Sequence, residues 1–415
     1  MPKRKRPTLL EDLPEEIIDM ILIRLPSKDV GRCRVVSTSW HSATSTPEFM
    51  LEHHRGQPSL PIIDGKGRLT NHVVLGAGAC SQELWPFLPS EKQRTENRLH
   101  AACDGLLIVS RRRRFYIFNP VTRKHALLCQ PQGEDVYTNP IGFYRHCPTG
   151  EYRMLWVPCP TNRCSEPLSK SHLYVVTVGA DEPRRVKVRM PTVSPPSVEQ
   201  KLLKWLRYSS LDYMPPAHHR GCLHWCPYRA SEITGGSGDI IVFDTEAESF
   251  RWMHSPAQLC FDSRKLFNMK GMLAFWAGSG AGFTIMDVWV MQDYEAEIWA
   301  FQYRIDMSTV EVSQQLYLTS LKKEKKTKKK TPLDSRIEEF TDMVVLNERE
   351  LLIRSNKKNV LRCDIDGNFL GMVTIGKSQY CMQLTQHRLQ ESIIPFPYHG
   401  LQEEDDEPPF SMVHV

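Results

Sequence analysis

The chain has 415 residues, of which 41% are apolar and 9% aromatic; it is too long for one ordinary domain and rich enough to bury a large core. Its start, Met1-Pro-Lys-Arg-Lys-Arg-Pro7, puts charge where a secretory peptide needs an apolar run; no Asn-x-Ser/Thr acceptor occurs, and the 12 cysteines are scattered, so reduced thiols in nucleus or cytoplasm are expected. The formal charge of +5 comes from local runs, with four positives in Lys3–Arg6, seven lysines in Lys322–Lys330 and five acids in Glu403–Glu407, so the body is near neutral.

The first fifty residues read as helices. Pro14 suits a first helical position, Glu15 and Glu16 suit the positive end of the dipole, and Pro26 ends the pattern. Ile17, Ile18, Ile21, Leu22 and Leu25 share one arc, while Met20 and Ile23 fall outside it. A helix with apolar residues facing two ways needs burial on both sides, so a partner surface is expected. A second helix is expected from Ser27 as N-cap, with Val30, Cys33 and Val36 at helical spacing. A third is expected from near Ser37, carrying Trp40 and ending by Pro47.

From about Pro58 the chain becomes short apolar runs split by Gly, Pro, Asp and Asn, which is the pattern of many strands. A loose repeat of strand, polar turn and strand recurs in Tyr116-Ile-Phe-Asn-Pro-Val-Thr-Arg123, Ile241-Val-Phe-Asp-Thr-Glu-Ala-Glu-Ser-Phe250, Phe301-Gln-Tyr-Arg-Ile-Asp-Met307 and Val360-Leu-Arg-Cys-Asp-Ile-Asp-Gly-Asn-Phe369. Weaker copies lie in Leu173–Val188 and Leu60–Leu75. About six such units, roughly 55 to 66 residues apart, are expected to stack radially into a β-propeller-like domain. Gly271–Met291 is long enough to span a bilayer, but Gly278-Ser-Gly-Ala-Gly282 divides it into two strand-length pieces, so two strands and a glycine loop are expected. Lys322–Thr331 reads as a solvated insertion between two units, and Gly235–Gly238 as a hairpin loop.

Two resemblances fit this division. Leu13-Pro14-x-x-Ile17-Ile18-x-x-Ile21-Leu22-x-Arg24-Leu25-Pro26-Ser27-Lys28, then Arg32-Cys33-Arg34-Val35-Val36-Ser37, Trp40 and Pro47-x-Phe49, resembles the F-box. Val30 stands where Leu is commoner and His41 where Arg is often found. Cys103-Asp-Gly-Leu-Leu107, Asn119-Pro-Val-Thr-Arg123, Gly221-Cys-Leu-His-Trp225 and Phe243-Asp-Thr245 resemble the F-box-associated domain of large plant families. The fold expected is α+β multidomain: a basic tail over 1–8, a three-helix F-box over 9–50, a propeller-like substrate-recognition domain over 58–400 with the basic insertion 322–331, and an acidic tail over 401–415.

What the resemblance implies is a substrate receptor of an SCF-type ubiquitin ligase. Its F-box binds a Skp-type adaptor, and through it a cullin and a RING subunit, with Leu13, Pro14, Ile17, Ile18, Ile21, Leu22, Leu25, Pro26, Val30, Cys33, Val36 and Trp40 as the adaptor-binding residues. Such a protein works by positioning a substrate lysine, so no catalytic residue, metal or cofactor is expected of it. The rivals are an F-box scaffold outside any ligase and a propeller enzyme with a site in its central channel. Against the enzyme, no acidic pair or metal cluster recurs at blade spacing.

Other constellations carry less. Cys222 and Cys226 with His218, His219 and His224 lack the paired spacing of a zinc site, and nothing sets a base beside any one thiol. No Lys-Ser/Thr follows Gly235–Gly238, as a phosphate-cradling loop requires. Arg111–Arg114 has the charge to grip an acidic or phosphorylated substrate, but four arginines before Phe115 read better as a solvated hairpin turn. Neither lysine run is interleaved with aromatics, so both read as nuclear signals or solvated runs rather than as nucleic-acid sites.

Overall fold

A computed structural model describes residues 13–66, 71–75, 84–88, 98–111, 114–131, 136–160, 173–180, 182–186, 202–203, 205–206, 215–226, 240–256, 263–279, 284–325, 340–347, 349–355, 359–373 and 381–397. The fold is the expected one, an N-terminal helical module followed by a six-bladed β-propeller.

Four helices form the module: α1 (Glu15–Leu22), α2 (Ser27–Val36), α3 (Thr38–Thr44) and α4 (Pro47–Gly56). Pro14 and Pro26 are the residues just before α1 and α2 rather than their first turns, each at φ −56°; Ser27 is therefore the first residue of α2 and not its cap. Ser37 caps α3 by accepting from the Trp40 amide at 3.4 Å, and Thr46 caps α4 by accepting from Phe49 at 3.3 Å. The fourth helix goes beyond the three expected. Pro47, read from sequence as a stop, is the first residue of α4, where its missing N–H has no intrahelical acceptor to serve.

The module's core is small and borrowed in part. Leu22, Val30, Phe49 and Met50 are buried together with Ile393 from the far end of the chain, and Ile18, Ile23, Leu25, Cys33, Trp40, Val121 and Ile394 pack around them. A unit of this size buries too little of its own surface to be stable by itself, so the propeller completes it.

Each blade is a four-stranded antiparallel sheet. The second blade holds β4 (Arg98–Cys103), β5 (Leu106–Arg111), β6 (Arg114–Asn119) and β7 (Lys124–Leu127). The third holds β8 (Val136–Arg145), β9 (Tyr152–Pro160), β10 (Leu173–Thr177) and β11 (Arg184–Val186). The fourth holds β12 (Ala217–His219), β13 (Cys222–Trp225), β14 (Ile240–Asp244) and β15 (Ser249–Met253). The fifth holds β16 (Ser263–Met269), β17 (Met272–Ser279), β18 (Ile285–Asp293) and β19 (Ile298–Asp306), and the sixth β20 (Phe340–Val345), β21 (Glu350–Ser355), β22 (Asn359–Asp364) and β23 (Phe369–Met372). The first blade joins the two ends of the domain: β1 (Ser59–Lys66), β2 (Asn71–Leu75) and β3 (Leu84–Leu88) are completed by β24 (Cys381–Gln390), which pairs antiparallel with β1. Pairing the two ends of the domain within one blade closes the ring and gives the first blade the same four strands as the others.

The turns explain the repeat in the sequence. Between third and fourth strands, Asn119, Asp244, Asp293 and Asp364 each accept backbone N–H groups from residues two to four positions on, a local bond that makes Asn or Asp the natural turn starter. In two blades the left-handed residue ending this turn is an acid that reaches the preceding blade. Glu248 (φ 47°) pairs with Arg153 at 2.9 Å and with Arg184, and Glu297 (φ 55°) binds Arg251 at 3.1 Å and His254 at 2.8 Å.

Two expectations need correction. Phe301–Met307 is not a strand, turn and strand; it ends β19 and leads at Met307 into a helix, α5 (Met307–Lys325), whose start is held by Asp306 accepting from the Ser308 amide and hydroxyl at 2.9 and 2.7 Å. The basic run therefore begins inside α5, with Lys322, Lys323 and Lys325 in its last turn, while 326–331 lies outside the described residues, as does Gly235–Gly238. Gly271–Met291 does form two strands, β17 and β18, and no described helix is long and apolar enough to cross a membrane. Arg111 and Arg114 pair across the start of the β5–β6 hairpin.

Candidate functional site

Two surfaces present side chains that the fold itself does not use. The first is the outer face of the helical module. The sequence pattern put Ile17, Ile18, Ile21, Leu22 and Leu25 on one side of α1, but the structure splits them. Ile18, Leu22 and Leu25 turn inward with Ile23, whereas Ile17 and Ile21 are exposed together with Met20. At the end of α2, Val35 and Val36 are 87% and 77% exposed, a pair of branched apolar side chains left in water.

Of the other expected adaptor-binding residues, Pro14 and Pro26 are exposed and Leu13 is half-buried just ahead of α1. Cys33 and Trp40 are half-buried against the core, and Val30 is wholly inside it. The inner set shapes the module, and the outer set, Leu13, Pro14, Ile17, Ile21, Pro26 and Val36, is reachable by another molecule. Met20 and Val35 belong with that outer set and were missed. The signal for Met20 was its place outside the apolar arc.

The module is clamped to the ring rather than tethered to it. His53 Nε2 lies 2.8 Å from the Leu25 carbonyl, fastening the α1–α2 turn to α4. His54 Nδ1 lies 2.9 Å from the Glu391 carbonyl, and Gln390 Nε2 donates to the carbonyls of His54 and Gln57 at 2.7 and 3.0 Å. Gly105, at φ 77°, lets the segment after β24 pass over the β4–β5 turn; a Cβ there would stand 2.4 Å from that of Ser392.

The second surface is the mouth of the central channel on the side where the helical module sits. It opens into a cavity of about 840 Å³ bordered by His54 and Pro58 and walled by all six blades. Its polar groups include Asp104, His218, Lys270 and Arg388, and its apolar ones Phe143, Leu266 and Phe267. Asp104 accepts from the Tyr152 hydroxyl at 3.0 Å and stands 3.7 Å from His54 Nε2. Burial in the wall lowers His218 to about 4, so its imidazole is neutral near pH 7.

The histidines and cysteines around β13 act as structure. His224 is buried, with Nδ1 3.1 Å from the Ala217 carbonyl and Nε2 2.7 Å from the Tyr294 hydroxyl; both ring nitrogens are engaged and the fourth blade is joined to the fifth. Among the described residues no three His, Cys, Asp or Glu converge on a metal position. Burial and the adjacent Asp104 push the Cys103 thiol up, away from the thiolate a nucleophile needs.

Burial also lowers His224 to about 3. The unfolded chain takes up this proton near pH 6.5 and the folded chain refuses it, so the stability His224 contributes is complete above pH 6.5 and declines as pH falls toward 3. Denaturant titrations at pH 7.5 and 5.0 are expected to show wild type losing roughly 2 kcal/mol more than His224→Asn across that interval, at about 1.4 kcal/mol per pH unit. Equal losses in the two proteins would mean His224 does not hold its neutral form in the fold.

Comparison with known proteins matches residues 10–52 to the F-box domain and residues 88–327 to the F-box associated beta propeller domain. An F-box/LRR-repeat/kelch-repeat protein of Arabidopsis thaliana is 27% identical over 183 residues, 38% of this chain and 48% of that one. An F-box protein of the same plant is 28% identical over 151 residues, 35% of this chain and 39% of that one. The chain thus spans about half or less of the length of these two relatives. Another Arabidopsis F-box protein is 26% identical over 316 residues, 71% of this chain and 73% of the relative. Among solved structures, YCF48 from Cyanidioschyzon merolae aligns over 75% of this chain and 84% of its own at 9% identity, with a TM-score of 0.35, too low to bear on fold or function.

Proposed function

Since the chain belongs to the F-box proteins that carry an F-box-associated β-propeller, we propose that it is the substrate-recognition subunit of an SCF-type ubiquitin ligase. In this reading the helical module docks a Skp-type adaptor, which brings the cullin and RING subunits, and the propeller holds the target. The observation that supports it is the set of exposed apolar side chains on α1 and α2, on a module clamped to the ring. A rigid mounting matters for a positioning device, because effective concentration is gained only where the joined parts keep a fixed geometry.

The reading asks for no chemistry from this chain; the ubiquitin carrier supplies the reactive thioester, and the receptor supplies proximity. Affinity purification with the proteasome blocked tests it. The intact chain should bring down adaptor and cullin along with its targets. Recovery of propeller partners without any cullin would favour a scaffold role outside a ligase.

The protein's place in the cell is proposed to include the nucleus, on the strength of Lys3–Arg6 and Lys322–Lys330. Replacing both runs by Ser and Gln is expected to move a fluorescent fusion toward the cytoplasm, and an unchanged distribution removes the proposal.

A further inference from the structure

Helix α5 turns an apolar stripe to solvent. Its inner side is fixed by the sixth blade: Met307, Val310 and Gln314 are buried, the Ser313 hydroxyl accepts from the Phe369 amide at 2.9 Å, and the Tyr317 and Phe369 rings meet edge-on with centres 5.3 Å apart. Val312 and Leu316, four residues apart on the opposite side, are 59% and 68% exposed, and neither joins the buried cluster that holds Met307 and Val310. At about 100° per residue, Thr319 and Lys323 take the next places on that outer stripe, with Lys322 and Lys325 in the same last turn. From its N-terminus to its C-terminus the exposed side of the helix is therefore apolar first and basic afterwards.

The chain carries a segment with the complementary order. Glu403-Glu-Asp-Asp-Glu-Pro-Pro-Phe-Ser-Met-Val413 begins with five acids uninterrupted by any base and continues with apolar residues. Laid antiparallel on α5, it sets its acids beside the basic turn and its apolar part beside Leu316 and Val312. The spacings agree: the helix rises about 16 Å from Val312 to Lys323, and an extended chain covers about 17 Å from Asp405 to Phe410. The negative end of the helix dipole opposes the acids, but Lys322, Lys323 and Lys325 less Glu324 leave two positive charges there, against a dipole charge of roughly one half.

The segment also has the reach. Pro397 borders the same surface cleft as Thr177 and Gly179 of the third blade. From there an extended chain to Phe410 spans up to about 45 Å, more than twice the roughly 20 Å radius of gyration of a domain of this length. We propose that residues 403–413 dock antiparallel on the outer face of α5, with the acids of Glu403–Glu407 against its basic last turn, Pro408 and Pro409 over Leu316, and Phe410 at Val312. Exposed ion pairs contribute little singly and are screened by salt. The apolar contacts add to them, and the covalent tether holds the segment at a high effective concentration. This docking goes beyond the substrate-receptor reading and does not depend on it.

Photocrosslinking in the full chain tests this. Leu316→p-benzoylphenylalanine puts a photoreactive ring on the stripe without entering the core, and Ile298→p-benzoylphenylalanine, at an exposed position on β19, is the control. After irradiation and digestion, mass spectrometry should find peptides from 398–415 joined to α5 at least fivefold more often than to the control position, within single chains and independently of protein concentration. Lys322→Gln, Lys323→Gln and Lys325→Gln together should cut that yield threefold or more, and so should Glu403→Gln, Glu404→Gln, Asp405→Asn, Asp406→Asn and Glu407→Gln together, both with an unchanged melting temperature. A yield equal to that of the control, or indifferent to both sets of substitutions, overturns the proposal. Crosslinks that join the segment of one chain to α5 of another overturn docking within the chain, and capture of a different protein in place of the segment gives the stripe another occupant.

Discussion

Changing Leu13 and Pro14 together to alanine is expected to weaken adaptor binding by well over tenfold while leaving the propeller intact. Leu13 is half-buried immediately before α1, and Pro14 is exposed at its N-cap with the extended geometry, φ −56° and ψ 145°, that launches the helix. Neither belongs to the buried cluster formed by Leu22, Val30, Phe49, Met50 and Ile393, so their loss does not hollow out the module. Truncating an apolar anchor at an interface typically costs on the order of 2 kcal/mol or more, and about 1.4 kcal/mol is one factor of ten. Losing the proline ring also widens the choices open to the chain ahead of α1. Co-immunoprecipitation should show a protein that still captures its targets, no longer recovers adaptor or cullin, and protects those targets from degradation. Wild-type adaptor affinity in the double variant would remove the docking role from this end of the helix. Ile17→Asp with Ile21→Asp is the companion experiment: charges on two exposed side chains should abolish docking with little effect on folding.

The parts legible from sequence were those whose cause is local. Four of the quoted repeats, starting at Tyr116, Leu173, Ile241 and Val360, fall on third strands, β6, β10, β14 and β22; in β6, β14 and β22 the apolar run ends in the Asn or Asp that starts the turn, whereas β10 ends at Thr177 and turns through Gly179 at φ 88°. In the fifth blade the same signal exists at Val288–Glu297, where Asp293 starts the turn, and the reading from Phe301 was one strand late. Helix α5 escaped because its pattern is weak. Val310 and Gln314 face inward while Val312 and Leu316 are exposed, so neither face is cleanly apolar.

What depends on contacts distant in sequence could not be read. Nothing in Cys381–Gln390 announces that it pairs with β1 more than 300 residues earlier, or that Ile393 completes the core of the helical module. The channel site is of the same kind. Arg388, Lys270 and Asp104 come from three different blades, and only closure of the ring gathers them at one mouth. The division of α1 into inner and outer residues likewise depends on where α4 and Ile393 lie, which a helical wheel drawn for α1 alone does not contain.

Ending the chain before Cys381 is expected to abolish cooperative folding, because β24 serves both domains at once. It is the ring-closing strand of the first blade, paired with β1 from Ser59↔Gln390 to Lys66↔Cys381. Its Met382, Leu384 and Leu389 are buried, and removing side chains of this kind from a core costs about 2–5 kcal/mol each. Those three alone approach the roughly 5–15 kcal/mol by which a domain is stable. Other bonds leave with them: Thr385 Oγ1 to the Ile62 carbonyl at 2.6 Å, Gln386 to Asp342, and Arg388 to Ser59, Val345 and Leu346. The helical module loses Gln390, Glu391 and Ile393, and with them the clamp on α4 and one wall of its core. A stop after Pro397 keeps every one of these contacts and is expected to melt like the intact chain. The comparison is made by thermal melts followed in near-ultraviolet circular dichroism, with size-exclusion chromatography to detect aggregation through the exposed edge of β1. A chain ending at residue 380 that melts cooperatively within a few degrees of the intact protein would show that the propeller closes without β24.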